Sequence, residues 1–356
     1  MTARVRPAPA RPAGTVVRLA HRSRVLADNP WGDPAERELP VYLPPGYRDD
    51  GPPHLALWDF AAFTNAGPGH VNWRNHGENL PQRLDRLIAE GRLPPVVVPM
   101  PDAYTSLGGN QYIDSDAVGR YATWVVEELV PAVDARFNVV ASRDGRGVFG
   151  KSSGGYGALV HAMRFPRTWG AAASHAGDVG FEWVYRTGFP GACQVLSAFG
   201  GDVRAFLEAF WRKERPAGVD FGALLTVAMA ASYDPDPEAP LGFALPFDSD
   251  TCTVDEARWA RWLEHDPLTL LETHAGALAS LHGLWVDCGS RDQYHIQYGT
   301  RRLARRLVEL GVPHHHEEFD GTHSGIDWRL DHSLPYLADA LAEACGTDHI
   351  ATKATT

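Results

Sequence analysis

Ser152 has the neighbours that a nucleophilic serine needs. Gly150, Ser152 and Gly154 read G-x-S-x-G within residues 147–159. That is the pattern of a nucleophile elbow, a tight strand-to-helix turn that lifts a serine hydroxyl above the end of a buried strand. The flanks suit such a turn. Val148-Phe149 is a short apolar run fit for a buried strand, and Tyr156, Leu159, Val160 and Met163 follow at helical spacing. The serine must take an unusual backbone conformation, and the residues two before and two after it crowd each other unless they lack a Cβ. Ser153 offers the same hydroxyl chemistry, but the two-residue spacing to each glycine selects Ser152.

A serine hydroxyl is a poor nucleophile near neutral pH. It needs a base to take its proton and a carboxylate to orient that base. In hydrolases built around a nucleophile elbow these partners follow the serine along the chain, acid first and then histidine, at the ends of later strands. Asp292 stands just past the strand-like Leu284-Trp285-Val286. Asp287 competes with it but lies in the strand or at its edge, whereas a carboxylate that must reach the site belongs in the loop beyond. Asp292 is therefore the expected acid. His323 follows the last strand-like segment at once and is the expected base. The run His314-His315-His316 would place adjacent side chains on opposite faces of a strand, which does not suit one metal ion. These are expected to be edge-strand histidines, and no metal is expected. A structural role is expected for His175, while His70 and His76 precede the elbow and are weak candidates. An oxyanion hole would use the backbone N–H of Ser153 and one from the loop at residues 59–67, with Phe63 the first choice and Ala62 the second.

The elements that must hold these residues alternate. Strand-like segments are expected at residues 16–25, 37–43, 55–58 and 95–100, with a helix at 80–91 closed by Gly91. Residues 115–137 carry Val118, Tyr121, Ala122, Val125, Val126, Leu129 and Val133 as one apolar stripe, with Pro131 as a kink or break. The elbow strand, its helix and a small-residue strand at 170–174 follow. After an interruption come the strand at 284–286, a helix at 298–310, a strand at 314–319 and a helix at 333–344. In the helix at 298–310, Leu303, Ala304, Leu307 and Val308 are expected inward and four arginines outward. Strand alternating with helix implies an α/β fold with a mostly parallel sheet flanked by helices. The interruption, about residues 178–274, is rich in Trp, Tyr and Phe. It is expected to form a helical cap insertion above the site. The domain is expected to span 15–345, with a disordered tail at 1–14 and a flexible one at 346–356.

Composition narrows the partners. A formal net charge of −11 argues against nucleic acid and anionic membrane. No segment approaches the apolar length of a membrane span. Cys193, Cys252, Cys288 and Cys345 are scattered without a C-x-x-C, so neither a zinc site nor a disulfide framework is expected. The N-terminal residues have no apolar h-region, so no signal peptide is expected and the expected location is cytoplasmic. A homo-oligomer is left open.

Four segments together resemble the putative-esterase family of α/β-hydrolases. They are Val41-Tyr42-Leu43-Pro44-Pro45-Gly46-Tyr47, the elbow with Gly155-Tyr156-Gly157, Asp287-Cys288-Gly289-Ser290-Arg291-Asp292 and Phe319-Asp320-Gly321-Thr322-His323. That family includes S-formylglutathione hydrolases, enterochelin-type esterases, feruloyl esterases and mycolyltransferases, and the resemblance runs from about residue 37 to 345. It implies an α/β-hydrolase fold with Ser152 as nucleophile, His323 as base and Asp292 as orienting acid. The implied reaction is cleavage of a small-molecule ester or thioester without cofactor. The alternatives are acyl transfer from the same acyl-enzyme, a peptidase, or a non-catalytic binding protein that keeps the fold. The sequence departs from the family in two places. Asp59-Phe60 to Ala62-Phe63 replaces the His-Gly common after the third strand, and Lys151 stands where His or Leu is more familiar.

Overall fold

Short runs of apolar residues bounded by Pro and Gly become strands here, and longer amphipathic runs become the helices that cover them. In a computed structural model, residues 12–346 and residue 351 are described. The strands are β1 (Thr15–Arg22), β2 (Glu36–Leu43), β3 (Leu55–Phe60), β4 (Val96–Pro99), β5 (Arg146–Lys151), β6 (Ala171–His175), β7 (Gly283–Gly289) and β8 (His315–Phe319). They form one sheet in the order β1-β2-β4-β3-β5-β6-β7-β8. β1, β2 and β4 pair antiparallel, and every pair from β4 to β8 is parallel. Every residue of β3 and β7 is buried, as expected of parallel strands covered on both faces.

Alternation along each strand divides the core in two. Ala56, Trp58, Val148, Ala172, Leu284 and Val286 face the larger layer, which holds the elbow helix α3 (Ser153–Arg164) and α9 (Ile296–Glu309). Leu55, Leu57, Phe149, Ala171, Ala173 and Trp285 face the other, with α1 (Leu80–Ala89) and α10 (Leu330–Cys345). The register aligns Phe60 with Gly150, Lys151 with His175, and His175 with Asp287. The carboxyl ends of the central strands therefore come level, the place where open α/β sheets gather their functional loops.

The long helix departs from its expected course. Residues 115–120 are not helical; Asp114–Ser115 and Gly119–Arg120 pair as a small antiparallel turn. The helix α2 starts at Tyr121 and runs through Tyr121–Thr123, a π-helical Trp124–Leu129 and Val130–Arg136. Pro131 has no N–H to give to the preceding turn, and the chain widens rather than breaks: the Val130 N–H bonds the Val125 carbonyl. The wider turn buries Glu128 beside Leu129 and leaves Val126 half-buried. Glu128 accepts from the N–H groups of Arg24 and Val25. In α9, Leu303, Ala304 and Leu307 are buried as expected, but Val308 is 70 % exposed. It lies about a quarter-turn from their stripe.

Between β6 and β7 the chain inserts α4 (Phe189–Ser197), α5 (Val203–Arg212), α6 (Gly218–Tyr233), α7 (Glu256–Leu263) and α8 (Pro267–Ala279). The insertion extends past residue 274, because α8 continues to Ala279 and lies against the elbow helix. Its aromatic residues are chiefly its own core: Tyr185, Phe189, Tyr233, Phe247, Trp259 and Trp262 are buried. They meet one another edge-on or tilted, as with Phe189 on Trp259 at 5.4 Å. Residues 1–11, 347–350 and 352–356 of the expected tails lie outside the described residues. Gly14 donates to Asp85 at 2.7 Å and Ala351 to the Pro53 carbonyl at 2.9 Å. Among the described residues no helix is long and apolar enough to cross a membrane.

Candidate active site

Ser152 sits at the junction of β5 and α3 with φ 56° and ψ −126°, a region that costs a residue with a Cβ of order 1–3 kcal/mol. The surroundings hold it there. Its N–H bonds the His175 carbonyl at 3.0 Å, and its carbonyl accepts from the Tyr156 N–H at 2.8 Å. A Cβ on Gly154 would stand 1.9 Å from the Phe60 carbonyl oxygen, and one on Gly150 would stand 2.4 Å from the Gly154 carbonyl carbon. The close approach of strand end, turn and helix thus leaves no room for side chains at the two positions. Gly154→Ala is expected to lower stability by about 3 kcal/mol, as overpacking against rigid backbone does. Chemical denaturation would check this; wild-type stability would mean that the turn relaxes around the methyl group.

Asp292 and His323 come together beyond β7 and β8. His323 Nδ1 lies 2.7 Å from Asp292 Oδ2, and both side chains are buried. A carboxylate only accepts, so Nδ1 carries a proton, which in the neutral ring leaves Nε2 with its lone pair. The pair is itself fixed: Asp292 Oδ1 accepts from the Tyr294 N–H at 2.8 Å, and the His323 N–H donates to Gln293 Oε1 at 3.0 Å. Tyr294 meets the imidazole edge-on at 4.8 Å. No hydrogen bond joins Ser152 to His323 among the described residues. In ligand-free enzymes such bonds are often long and tighten only around substrate.

Ser153 is the first residue of α3, so its N–H has no acceptor within the helix. Phe63 lies in the turn after β3, and its N–H has no acceptor among the described residues. That turn is tied to a distant segment. The Thr64 N–H bonds the Gly108 carbonyl at 2.8 Å, Tyr112 Oη donates to the Ala61 carbonyl at 3.0 Å, and the Tyr112 ring stacks on Phe60 at 4.2 Å.

The other candidates have partners of their own. Asp287 is fully buried within β7 and accepts from His175 Nδ1 at 2.8 Å, Trp285 Nε1 at 2.7 Å and Arg329 Nε at 2.8 Å. Its carboxyl is held below the usual range: burial raises it, and His175, Trp285 and Arg329 more than offset this. His175 Nε2 and Ser333 Oγ are hydrogen-bonded at 2.9 Å. His315 stacks on Trp285 at 3.8 Å at the sheet edge. His70 is paired with Asp59.

Sequence reasoning missed Asp178. It is buried just beyond β6 and accepts from Tyr185 Oη at 2.8 Å, Gln111 Nε2 at 3.0 Å and Ser153 Oγ at 3.3 Å. Burial raises its pKa, and the hydrogen bonds from Tyr185 and Gln111 partly offset that. An acidic residue directly after His175-Ala176-Gly177 at a strand end was the available signal. Ala176 takes φ 44° there, turning the chain at the strand end just before Asp178.

The profile of the family described as "Putative esterase" matches residues 34–334. The chain is 34 % identical over 235 residues to Esterase Rv1288 of Mycobacterium tuberculosis, covering 64 % of this chain and 42 % of that one. It thus spans about two fifths of the length of that curated relative. Among solved structures it is similar to a ferulic acid esterase, with TM-score 0.60, 18 % identity and coverage of 93 % and 100 % of the two chains. It is also similar to an S-formylglutathione hydrolase from Agrobacterium tumefaciens, with TM-score 0.55, 20 % identity and coverage of 94 % and 98 %. The fold is that of an α/β-hydrolase.

Proposed function

We propose that this chain, which belongs to the putative-esterase family, cleaves a carboxylic ester through a covalent acyl-enzyme on Ser152. The observation that carries the reading is the strained, glycine-packed Ser152 turn together with a buried His323–Asp292 pair beyond the carboxyl ends of β7 and β8 in the same parallel sheet. His323 Nε2 takes the proton from Ser152 Oγ as the oxygen attacks the ester carbonyl carbon. The carbonyl oxygen becomes an oxyanion, held by the N–H groups of Ser153 and Phe63. The tetrahedral intermediate collapses, the carbon–oxygen bond to the alcohol breaks, and the imidazolium gives its proton to the departing oxygen. Water then attacks the acyl-enzyme with His323 again as base, which frees the acid and restores Ser152. A thioester would follow the same course with a thiol leaving. Asp292 holds the imidazole in its working tautomer and stabilises the imidazolium. Asp178, bonded to Ser153 Oγ, steadies the residue that supplies one oxyanion donor.

Fluorophosphonate labelling read by intact-protein mass spectrometry tests the reading. One adduct is expected on the wild type and none on Ser152→Ala. An adduct that persists in the variant would place the reactive nucleophile elsewhere.

A further inference from the structure

Immediately before the nucleophile, Lys151 lines a cavity of about 250 Å³ between the turn after β3 and the loop that follows His323. Ser152 and His323 do not line it, but their neighbours Gly150, Lys151 and Gly325 do. Most of its charged wall is already balanced. Arg74 pairs with Asp327 at 2.6 Å, Arg83 pairs with Asp331, Glu78 pairs with Arg86 at 2.8 Å, and His70 pairs with Asp59. Lys151 is in no ion pair among the described residues. The residue is half-buried; burial lowers its pKa, and the nearby carboxylates of Asp327 and Asp292 partly offset this. Asp327 and Asp292 favour its charge from a distance without a direct ion pair, and Asp327 is already engaged by Arg74, so a ligand anion would complete the counter-charge. His70 adds a donor: Asp59 holds its Nδ1, and the pairing raises its pKa against the opposing effect of burial. Nε2 has no hydrogen-bond partner among the described residues, and it donates when the ring is protonated.

We propose that this cavity is an anion subsite in which Lys151 and His70 bind a carboxylate carried by the ester substrate, so that the enzyme favours esters with a second, ionised acid group. The inference rests on the assignment of Ser152 as nucleophile, because Lys151 is tied to the site through that residue. The carboxylate can lie on the acyl or on the alcohol side of the scissile bond, and the two are told apart by the substrates chosen.

The test compares kcat/KM within two matched pairs. One pair is the mono-para-nitrophenyl ester of adipate against para-nitrophenyl hexanoate. The other is para-butyryloxybenzoate against its methyl ester. The wild type should favour the anionic member of one pair by about tenfold or more, the worth of one charged hydrogen-bonded contact. Lys151→Met should collapse that ratio, Lys151→Glu should invert it, and Lys151→Arg should largely keep it. The preference should also fade as pH rises, as the His70 ring and then Lys151, which faces Asp327, Asp292 and Arg74, lose the protons that attract the anion. A ratio near one in both pairs, or a preference that survives Lys151→Met, overturns the subsite. Calorimetric titration of adipate into Ser152→Ala separates the two readings. Adipate binding that disappears in Ser152→Ala/Lys151→Met supports the subsite even if Ser152 proves not to be the nucleophile. Ester hydrolysis without adipate binding or preference leaves Ser152 in place and removes the subsite.

Discussion

Ser152→Ala should lower kcat on any accepted ester by roughly 10⁶-fold, the scale on which loss of a serine nucleophile removes an entire covalent route. The residual rate should lie above that of water alone by about 10³–10⁴-fold, because the oxyanion donors and the binding surface survive. The structure makes the substitution clean. Ser152 Oγ has no hydrogen-bond partner among the described residues, so its removal leaves no buried group unsatisfied. Its backbone contacts to His175 and Tyr156 run through main-chain atoms and are kept. Alanine also tolerates φ 56° no worse than serine does. Stability should therefore stay within about 1 kcal/mol of wild type while activity vanishes. Steady-state kinetics beside thermal unfolding separates the two effects. A variant that keeps more than about a hundredth of the wild-type kcat would exclude Ser152 as nucleophile, since such a loss is within what a merely displaced neighbour can cause.

The parts of this site that were legible in sequence are those whose geometry is local. The elbow depends on two glycines and a serine within five residues, and steric exclusion at Gly150 and Gly154 follows directly from that spacing. The Asp292–His323 pair was legible because Asp292 stands a few residues beyond the apolar run at 284–286 and His323 directly follows the last strand-like segment. The turn after β3 was not legible to the same degree. Phe63 depends on contacts with Gly108 and Tyr112, more than 40 residues away, and no period in the sequence encodes that pairing. Asp178 escaped for a related reason, since its partners Gln111, Ser153 and Tyr185 come from three separate segments. The aromatic run of the insertion invited a ligand-binding reading, yet aromatic bulk between short helices chiefly closed its own core. At Pro131 the rule that proline breaks a helix met a chain able to widen by one residue, so the stripe shifted rather than ended.

The sequence offered two aspartates for one role, and they should fail in opposite ways. Asp292→Asn is expected to lower kcat by about 10⁴-fold with little change in stability, because an amide at this place can donate to His323 Nδ1 and hold the imidazole in the wrong tautomer. The fold should tolerate it: the carboxamide oxygen can still accept from the Tyr294 N–H, as Oδ1 does now at 2.8 Å. Asp287→Ala should instead cost about 3–5 kcal/mol, the range for removing one partner of a buried ion pair. Three buried donors would lose their acceptor, and the buried Arg329 guanidinium would keep Glu317 alone. Acid should expose the same difference. The folded-state pKa of Asp287 lies below the unfolded one, so its contribution is complete above the ordinary carboxylate range and is lost as pH falls through the lowered value. Wild-type stability should therefore decline on acidification more steeply than that of Asp287→Ala, which has already lost the group. Unfolding midpoints across an acid series, with kcat measured at neutral pH, would decide the matter. If Asp287→Ala proved stable but inactive while Asp292→Asn remained active, the orienting carboxylate would have to be reassigned to Asp287 and the His323–Asp292 contact read as structural.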